Sequence, residues 1–335
     1  MPSKWAIAGA LCLIGSVVAF GQGQGGQGAA AAQAPLKEAV APDIPGVVKD
    51  GTPVQIVKTG FAATEGPIAM ADGSLLLTEA TANRVNKIDK DGNVTAFLEN
   101  LNGPNALAFD AKGRLISVDR APGKMQIAVI YPRGSEVVLA NSYEGRPLGS
   151  PNDLVVDRRG GVYFTEPGPG GGRGAAPPPE PPLPPSVYYI PAGRTAVRVA
   201  DGFRPNGIQL SPDEKTLYVN DTGGEYLLAF DVRPDGTVGS QRQFAKYEGV
   251  RKTETGFASG ADGLAVDSEG RVYIAVPVGV QVVSPKGMTL GVIPLPGPPQ
   301  NLAFAGQDKK TLYVVGRGNV YKVQMQAKGY TGRAK

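Results

Sequence analysis

Between residues 65 and 316 the chain repeats one short phrase six times: a polar residue beside Gly or Pro, an apolar strand, a turn rich in Asp and Gly, and a second apolar strand. The copies start at Glu65, Asn105, Asn152, Asn206, Asp262 and Asn301, between 39 and 56 residues apart. Each is a β-hairpin in outline, and the gaps hold further short strands such as 84–88, 94–98, 227–232 and 280–284. A lone four-stranded sheet leaves both faces partly exposed. Radial stacking buries them, and closing the ring removes the open ends. The expected fold is therefore all-β, a six-bladed β-propeller of four-stranded antiparallel blades. Closure is expected from a strand near 54–58 pairing with the last blade, whose late strand is 319–325.

The expected organisation is a signal peptide over 1–20, a flexible leader over 21–50, the propeller over 51–328 and a C-terminal tail over 329–335. Residues 5–20 are almost wholly apolar behind Lys4, which reads as a secretory signal; an N-terminal membrane anchor is the alternative, although the run falls short of the ~20 residues of a span. Export, to a bacterial periplasm, with no membrane insertion once the signal is removed, is the corresponding expectation. Residues 167–186 are rich in Pro and Gly, cannot pair in a sheet, and read as a loop over one face, either a lid or access wall or a plain solvent loop.

The chemistry is narrowed by what is missing. The chain has no histidine, and its one cysteine is Cys12 in the presumed signal. A Ser-His-Asp triad, a histidine acid/base, a His-ligated zinc and a disulfide are excluded. The net charge of +4 is spread without a basic stripe, so no nucleic-acid partner is expected. A monomer is expected, since a closed ring needs no partner.

If the first strand of each hairpin lines the channel, the six starting residues converge at one mouth. The returning strands bring Glu79, Asp119, Glu166 and Asp221 to the same side, with Val276 and Gly316 in the last two copies. Two carboxylates and four amides are hard oxygen donors of the kind that suit Ca²⁺, Mg²⁺ or Mn²⁺. Asn and Asp before Gly are also good turn formers, so repeated turn chemistry is the other reading of the same pattern. The turns starting at Asp110, Asp157 and Asp267 lie at the opposite hairpin end and read as structural.

Five segments in this order, TEGP (64–67), SPNDLVVD (150–157), YFTEP (163–167), RPNGIQLSPD (204–213) and GADGLAVDSEGRVY (260–273), resemble the gluconolactonase, senescence-marker and regucalcin-like family of propellers. The resemblance implies a metal-dependent lactone hydrolase acting on a small-molecule lactone, with one divalent cation, Ca²⁺ first and Mg²⁺, Mn²⁺ or Zn²⁺ as alternatives. It implies metal ligation by Glu65, Asn206 and Asp262, with Asn152 as a further ligand or a substrate-orienting amide. Asp262 is the implied general base, and Asn152 the residue that aligns substrate. Asn105, Glu166, Asp221 and Arg120 are candidates for substrate contact or for support behind the ligands. Two departures stand out: Ile68 and Ala69 follow the EGP motif where an aromatic residue is common, and the arginine that holds sugar hydroxyls is not evident, Arg120, Arg146 and Arg204 being candidates. The alternatives are an aryl-ester or phosphoester hydrolase on the same site, and a non-catalytic, metal-stabilised binding or scaffold propeller.

Overall fold

A computed structural model describes residues 38–168, 181–333 and 335. It is a six-bladed β-propeller. The inner strands, in chain order, are Thr64–Ala69, Pro104–Phe109, Leu154–Val156, Pro205–Leu210, Leu264–Val266 and Asn301–Ala305. Each opens a blade whose remaining strands follow outward in sequence and pair antiparallel. Neighbouring inner strands contact one another around the ring, and the first also meets the last. The sixth blade is completed from the N-terminal side: Pro53–Lys58 pairs with Asn319–Gln324, with Gln55 opposite Lys322 and Ile56 opposite Tyr321. Two small hairpins, Ser142–Tyr143 with Arg146–Pro147 and Arg251–Thr253 with Gly256–Ala258, stand outside the blades.

The inner strands carry apolar residues on both faces because both are covered by neighbouring blades. Ile68, Ile208, Leu154, Leu264 and Leu302 are fully enclosed. Fully burying one such side chain stabilises the fold by about 1.5–3 kcal/mol. The turns at the outer end of the first hairpins are clamped by their aspartates. Asp157 Oδ1 accepts the N–H groups of Arg159 and Gly161, and Asp267 Oδ1 those of Glu269 and Arg271. Asp110 makes the same turn with Lys112 and Arg114.

One expectation is corrected. The flexible leader does not extend to residue 50, because residues 38–50 are packed. Ala39–Val40 pairs with Pro53 and Val54, and Ala41, Ile44, Val47 and Val48 are buried against Tyr273, Ala275 and Ile293 of the fifth blade. Their spacing would fit a helical face, but Pro42, Pro45 and Gly46 interrupt it, so the segment reads as neither helix nor strand. Residues 1–37, holding the expected signal, and 169–180, most of the Pro/Gly-rich loop, lie outside the described residues.

Candidate functional site

In five of the six repeats the opening polar residue lies at or beside a break in the ladder. In blades one, two and four the pairing shifts between Glu65 and Ile68, Pro104 and Leu107, and Pro205 and Ile208. In blades three and five the inner strand begins only at Leu154 and Leu264, two residues after Asn152 and Asp262. Asn301 alone pairs regularly, with Val315. Breaking the ladder at these positions re-aims side chains, a recurrent use of bulges beside functional sites.

The freed groups are tied to the next blade. Thr78 Oγ1 donates to the Asn105 carbonyl at 2.8 Å, Asn105 Nδ2 to the Asn152 carbonyl at 2.9 Å, and Thr165 Oγ1 to the Asn206 carbonyl at 2.7 Å. Asn220 Nδ2 donates to the Asp262 carbonyl at 2.5 Å, the Gly263 N–H to the Gln300 carbonyl at 2.7 Å, and Asn301 Nδ2 to Glu65 Oε2 at 3.0 Å. Every blade thus bonds to its successor, and the sixth bonds back to the first. This ring of hydrogen bonds fixes the end of the channel where Glu65, Asn152, Asn206 and Asp262 are gathered.

The NG and DG pairs have a steric reason. The Gly207 N–H donates to the Asp262 carbonyl at 3.1 Å, and a Cβ on Gly207 would lie 2.0 Å from that oxygen. A Cβ on Gly263 would lie 2.0 Å from Asn301 Oδ1. Gly207→Ala is expected to push the fifth inner strand outward, misplace Asp262 and cut activity at least about 100-fold, since small misplacements of catalytic groups cost this much. Steady-state kinetics beside a circular-dichroism melt checks it; wild-type kcat/KM would contradict this account of the glycine.

The electrostatics of the site are strongly unbalanced. Burial raises the Glu65 carboxyl above its ordinary value, helped by Asp153 and opposed by Asn301 and the Gly66 N–H. Burial raises Asp262 well above the carboxylate range, and the charges of Glu65 and Asp153 add to it. Asn206 Oδ1 is shielded from solvent and accepts no hydrogen bond among the described residues. A buried acceptor left unsatisfied costs about 1–3 kcal/mol. Desolvated carboxylates that repel each other near an orphaned amide oxygen are a donor set suited to a hard divalent cation. No group of three acidic, His or Cys side chains among the described residues could hold an ion alone, so an ion here would need amide oxygens as well.

The other candidates take distinct positions. Asn105 is buried and receives the Arg120 guanidinium at 3.4 Å on its Oδ1. Arg120 also donates to Ser150 Oγ at 3.0 Å. Burial lowers its value, while the charges of Glu65, Glu166 and Asp262 pull the other way, so the guanidinium lies within reach of the whole acidic group. Glu166 accepts the Ser150 and Gly149 N–H groups at 2.8 and 3.1 Å, and burial raises it. Asp221 accepts the N–H groups of Arg204 and Gly223 and secures its own loop. Glu79 is engaged by Arg84, Asn86 and the Ala62 N–H, and Asp119 by Ser117 and Gln126.

Two residues beside the site were not among the candidates. Asp153 is buried, and its Oδ2 accepts the Ile208 N–H at 3.3 Å. Its only sequence signal is adjacency to Asn152. Arg317, in the exposed turn of the last blade, lies close enough for its charge to act on Asp262, and nothing in its surroundings along the chain marks it.

Residues 63–317 match the SMP-30/Gluconolactonase/LRE-like region. The chain is 27% identical over 313 residues to a gluconolactonase of Zymomonas mobilis, covering 86% of this chain and 85% of that one. It is 26% identical to the lactonase drp35 of Staphylococcus haemolyticus, covering 70% of each. Among solved structures it resembles XC5397 of Xanthomonas campestris, described as a gluconolactonase, with a TM-score of 0.71, 30% identity and coverage of 88% of this chain and 99% of that one. A regucalcin of Agrobacterium tumefaciens, described as calcium-binding, shares the fold with a TM-score of 0.66 at 18% identity, over 83% and 95% of the two chains. With a ring closed from blade to blade and a family match over most of its length, the chain belongs to the SMP-30/gluconolactonase/LRE-like family.

Proposed function

We propose that this protein is a divalent-metal-dependent lactone hydrolase, with Glu65, Asn206 and Asp262 as metal ligands and Asn152 as a fourth ligand or a substrate-orienting amide. The observation that carries the metal reading is the shielded, unpartnered Asn206 Oδ1 near the buried Glu65 and the half-buried Asp262, carboxylates whose ionisation is opposed by desolvation and by Asp153. The gluconolactonase and lactonase relatives support the lactone as substrate class. The calcium-binding neighbour supports Ca²⁺ as the ion.

When bound, the cation supplies Lewis-acid polarisation of the lactone carbonyl. The protein's own residues do the rest. Asp262 accepts a proton from the attacking water as the water oxygen bonds to the carbonyl carbon. The ring C–O bond then breaks, the ring oxygen takes the proton held by Asp262, and the new carboxylic acid releases its proton to solvent, so a hydroxy acid leaves as its carboxylate. Arg120 is suited to orient ring oxygens and hydroxyls, since the charges of Glu65, Glu166 and Asp262 act on its guanidinium and it carries hydrogen-bond donors, and the Asn152 amide is assigned the same task. Arg317 offers a second guanidinium from the exposed side.

The test is a pH-stat assay with glucono-1,5-lactone on EDTA-stripped protein. Acid release is expected to vanish on stripping and to return with Ca²⁺. Asn206→Ala is expected to stay folded and to weaken Ca²⁺ binding at least about tenfold. Turnover that persists through exhaustive stripping would rule out the metal-dependent mechanism.

A further inference from the structure

Residues 326–333 do not trail away from the propeller: they pack on the face opposite the site, and Lys335 lies buried beside the third and fourth inner strands. Gly329 bridges to Asp267, and the Tyr330 N–H donates to the Val266 carbonyl. The Tyr330 hydroxyl receives Arg158 at 3.0 Å. Arg333 is buried, pairs with Glu214 at 3.0 Å, and donates to the carbonyls of Leu210 and Ser211 at 2.5 and 2.9 Å. Those carbonyls mark the far end of the fourth inner strand. Two residues on, the Lys335 Nζ lies 2.6 Å from Asp153 Oδ2, and that oxygen also holds the N–H of Ile208, further along the same strand toward the site. Lys335 is 7% exposed and Asp153 1%. The charge of Lys335 also acts on Glu65 and Asp262, favouring their ionised forms.

An ammonium buried against the Asp153 carboxylate is costly to desolvate and stable only through such a partner. Its position relative to the site has two opposed effects. It relieves the repulsion among Glu65, Asp153 and Asp262 when no metal is bound. It also repels any divalent cation that arrives at the same carboxylates. We propose that Lys335 is the built-in counter-ion of the channel, a positioning residue that holds Asp153 between the third and fourth inner strands, stabilises the metal-free protein and sets the metal affinity by competing with the cation. This deepens the metal reading and rests on it.

The experiment compares the full chain with Lys335→Met, Lys335→Arg and Lys335→Met combined with Asp153→Asn. Calorimetric Ca²⁺ titration and thermal unfolding are measured on EDTA-stripped protein, with unfolding repeated in excess Ca²⁺. Lys335→Met is expected to lower Tm in EDTA, to bind Ca²⁺ about tenfold or more tightly, and to regain more Tm on Ca²⁺ addition than the wild type. Lys335→Arg should restore both values. Adding Asp153→Asn should recover the EDTA Tm, which a lost packing contact would not do. Unchanged or weaker Ca²⁺ binding in Lys335→Met overturns the competition. If the wild type binds no divalent cation, the metal reading and the competition with it both fail. The EDTA melts then decide the counter-ion role by themselves: a loss rescued by Arg or by Asp153→Asn upholds it, and no loss overturns it.

Discussion

Asp262→Asn is expected to yield a folded propeller with lactone hydrolysis reduced about 1,000-fold or more. The substitution keeps the size of the side chain, and the backbone bonds that fix the position, from Gly207 and Asn220 to the Asp262 carbonyl, do not involve the carboxylate. In the proposed mechanism it removes one of the two anionic ligands and the proton acceptor together. Loss of a general base alone costs about 10²–10⁴-fold, and weakened cation binding adds to that. Because the carboxylate is half-buried, desolvated and repelled by Glu65 and Asp153, its removal is expected to hold or raise the Tm of the metal-free protein. The paired measurement is therefore kcat/KM at saturating Ca²⁺ and Tm in EDTA. Activity within tenfold of wild type would remove Asp262 from the mechanism. A fall in activity accompanied by a large fall in Tm would make its role structural.

The largest expected loss of stability comes from the opposite end of the fifth blade. Asp267 is wholly buried and receives four hydrogen bonds: from the Glu269 and Arg271 N–H groups at 3.0 and 2.9 Å, Arg271 Nε at 2.5 Å and the Tyr273 hydroxyl at 2.9 Å. Asp267→Ala strands the Tyr273 hydroxyl and leaves the buried Arg271 guanidinium with only the exposed Glu269, 2.9 Å away, as its charge partner. Breaking one side of a buried pair costs about 3–5 kcal/mol, which lowers Tm by roughly 10 °C in a domain of this size. Arg271→Met in the same background should recover part of that loss, because the uncompensated charge is gone. Urea melts of the two single variants and the double variant check this; a loss below about 1 kcal/mol for Asp267→Ala would mean that solvent replaces the clamp. Lactone hydrolysis per folded molecule should be unchanged, since the clamp lies at the far end of the hairpin from Asp262.

The two aspartates show what a linear reading can and cannot reach. Asp267 and Asp262 both precede or follow glycines in similar short contexts, and only their place in the repeat separated a turn clamp from a site residue. That separation was legible, because a hairpin reverses direction once and its two ends are determined by strand length. The break in the ladder at Glu65, Asn105 and Asn206 was not, since a bulge changes pairing without changing composition. Arg120 was already a candidate beside Asn105, Glu166 and Asp221, but its contacts with Asn105 and Ser150 came only from the fold.

What the sequence determined by itself is therefore local and repeated: six hairpins, their turn residues, the polar residue that opens each, and an inventory without histidine that leaves oxygen donors to do the chemistry. These depend on side-chain alternation and turn geometry, which act over a few residues. What only the tertiary structure decided is which of these residues meet. Asn301 reaches Glu65 across 236 positions, Lys335 reaches Asp153 across 182, and residues 38–50 join a core built from the fifth and sixth blades. None of these contacts leaves an uninterrupted local period. They exist because closing the ring brings distant ends of the chain into one channel, where burial makes every unpaired charge find a partner.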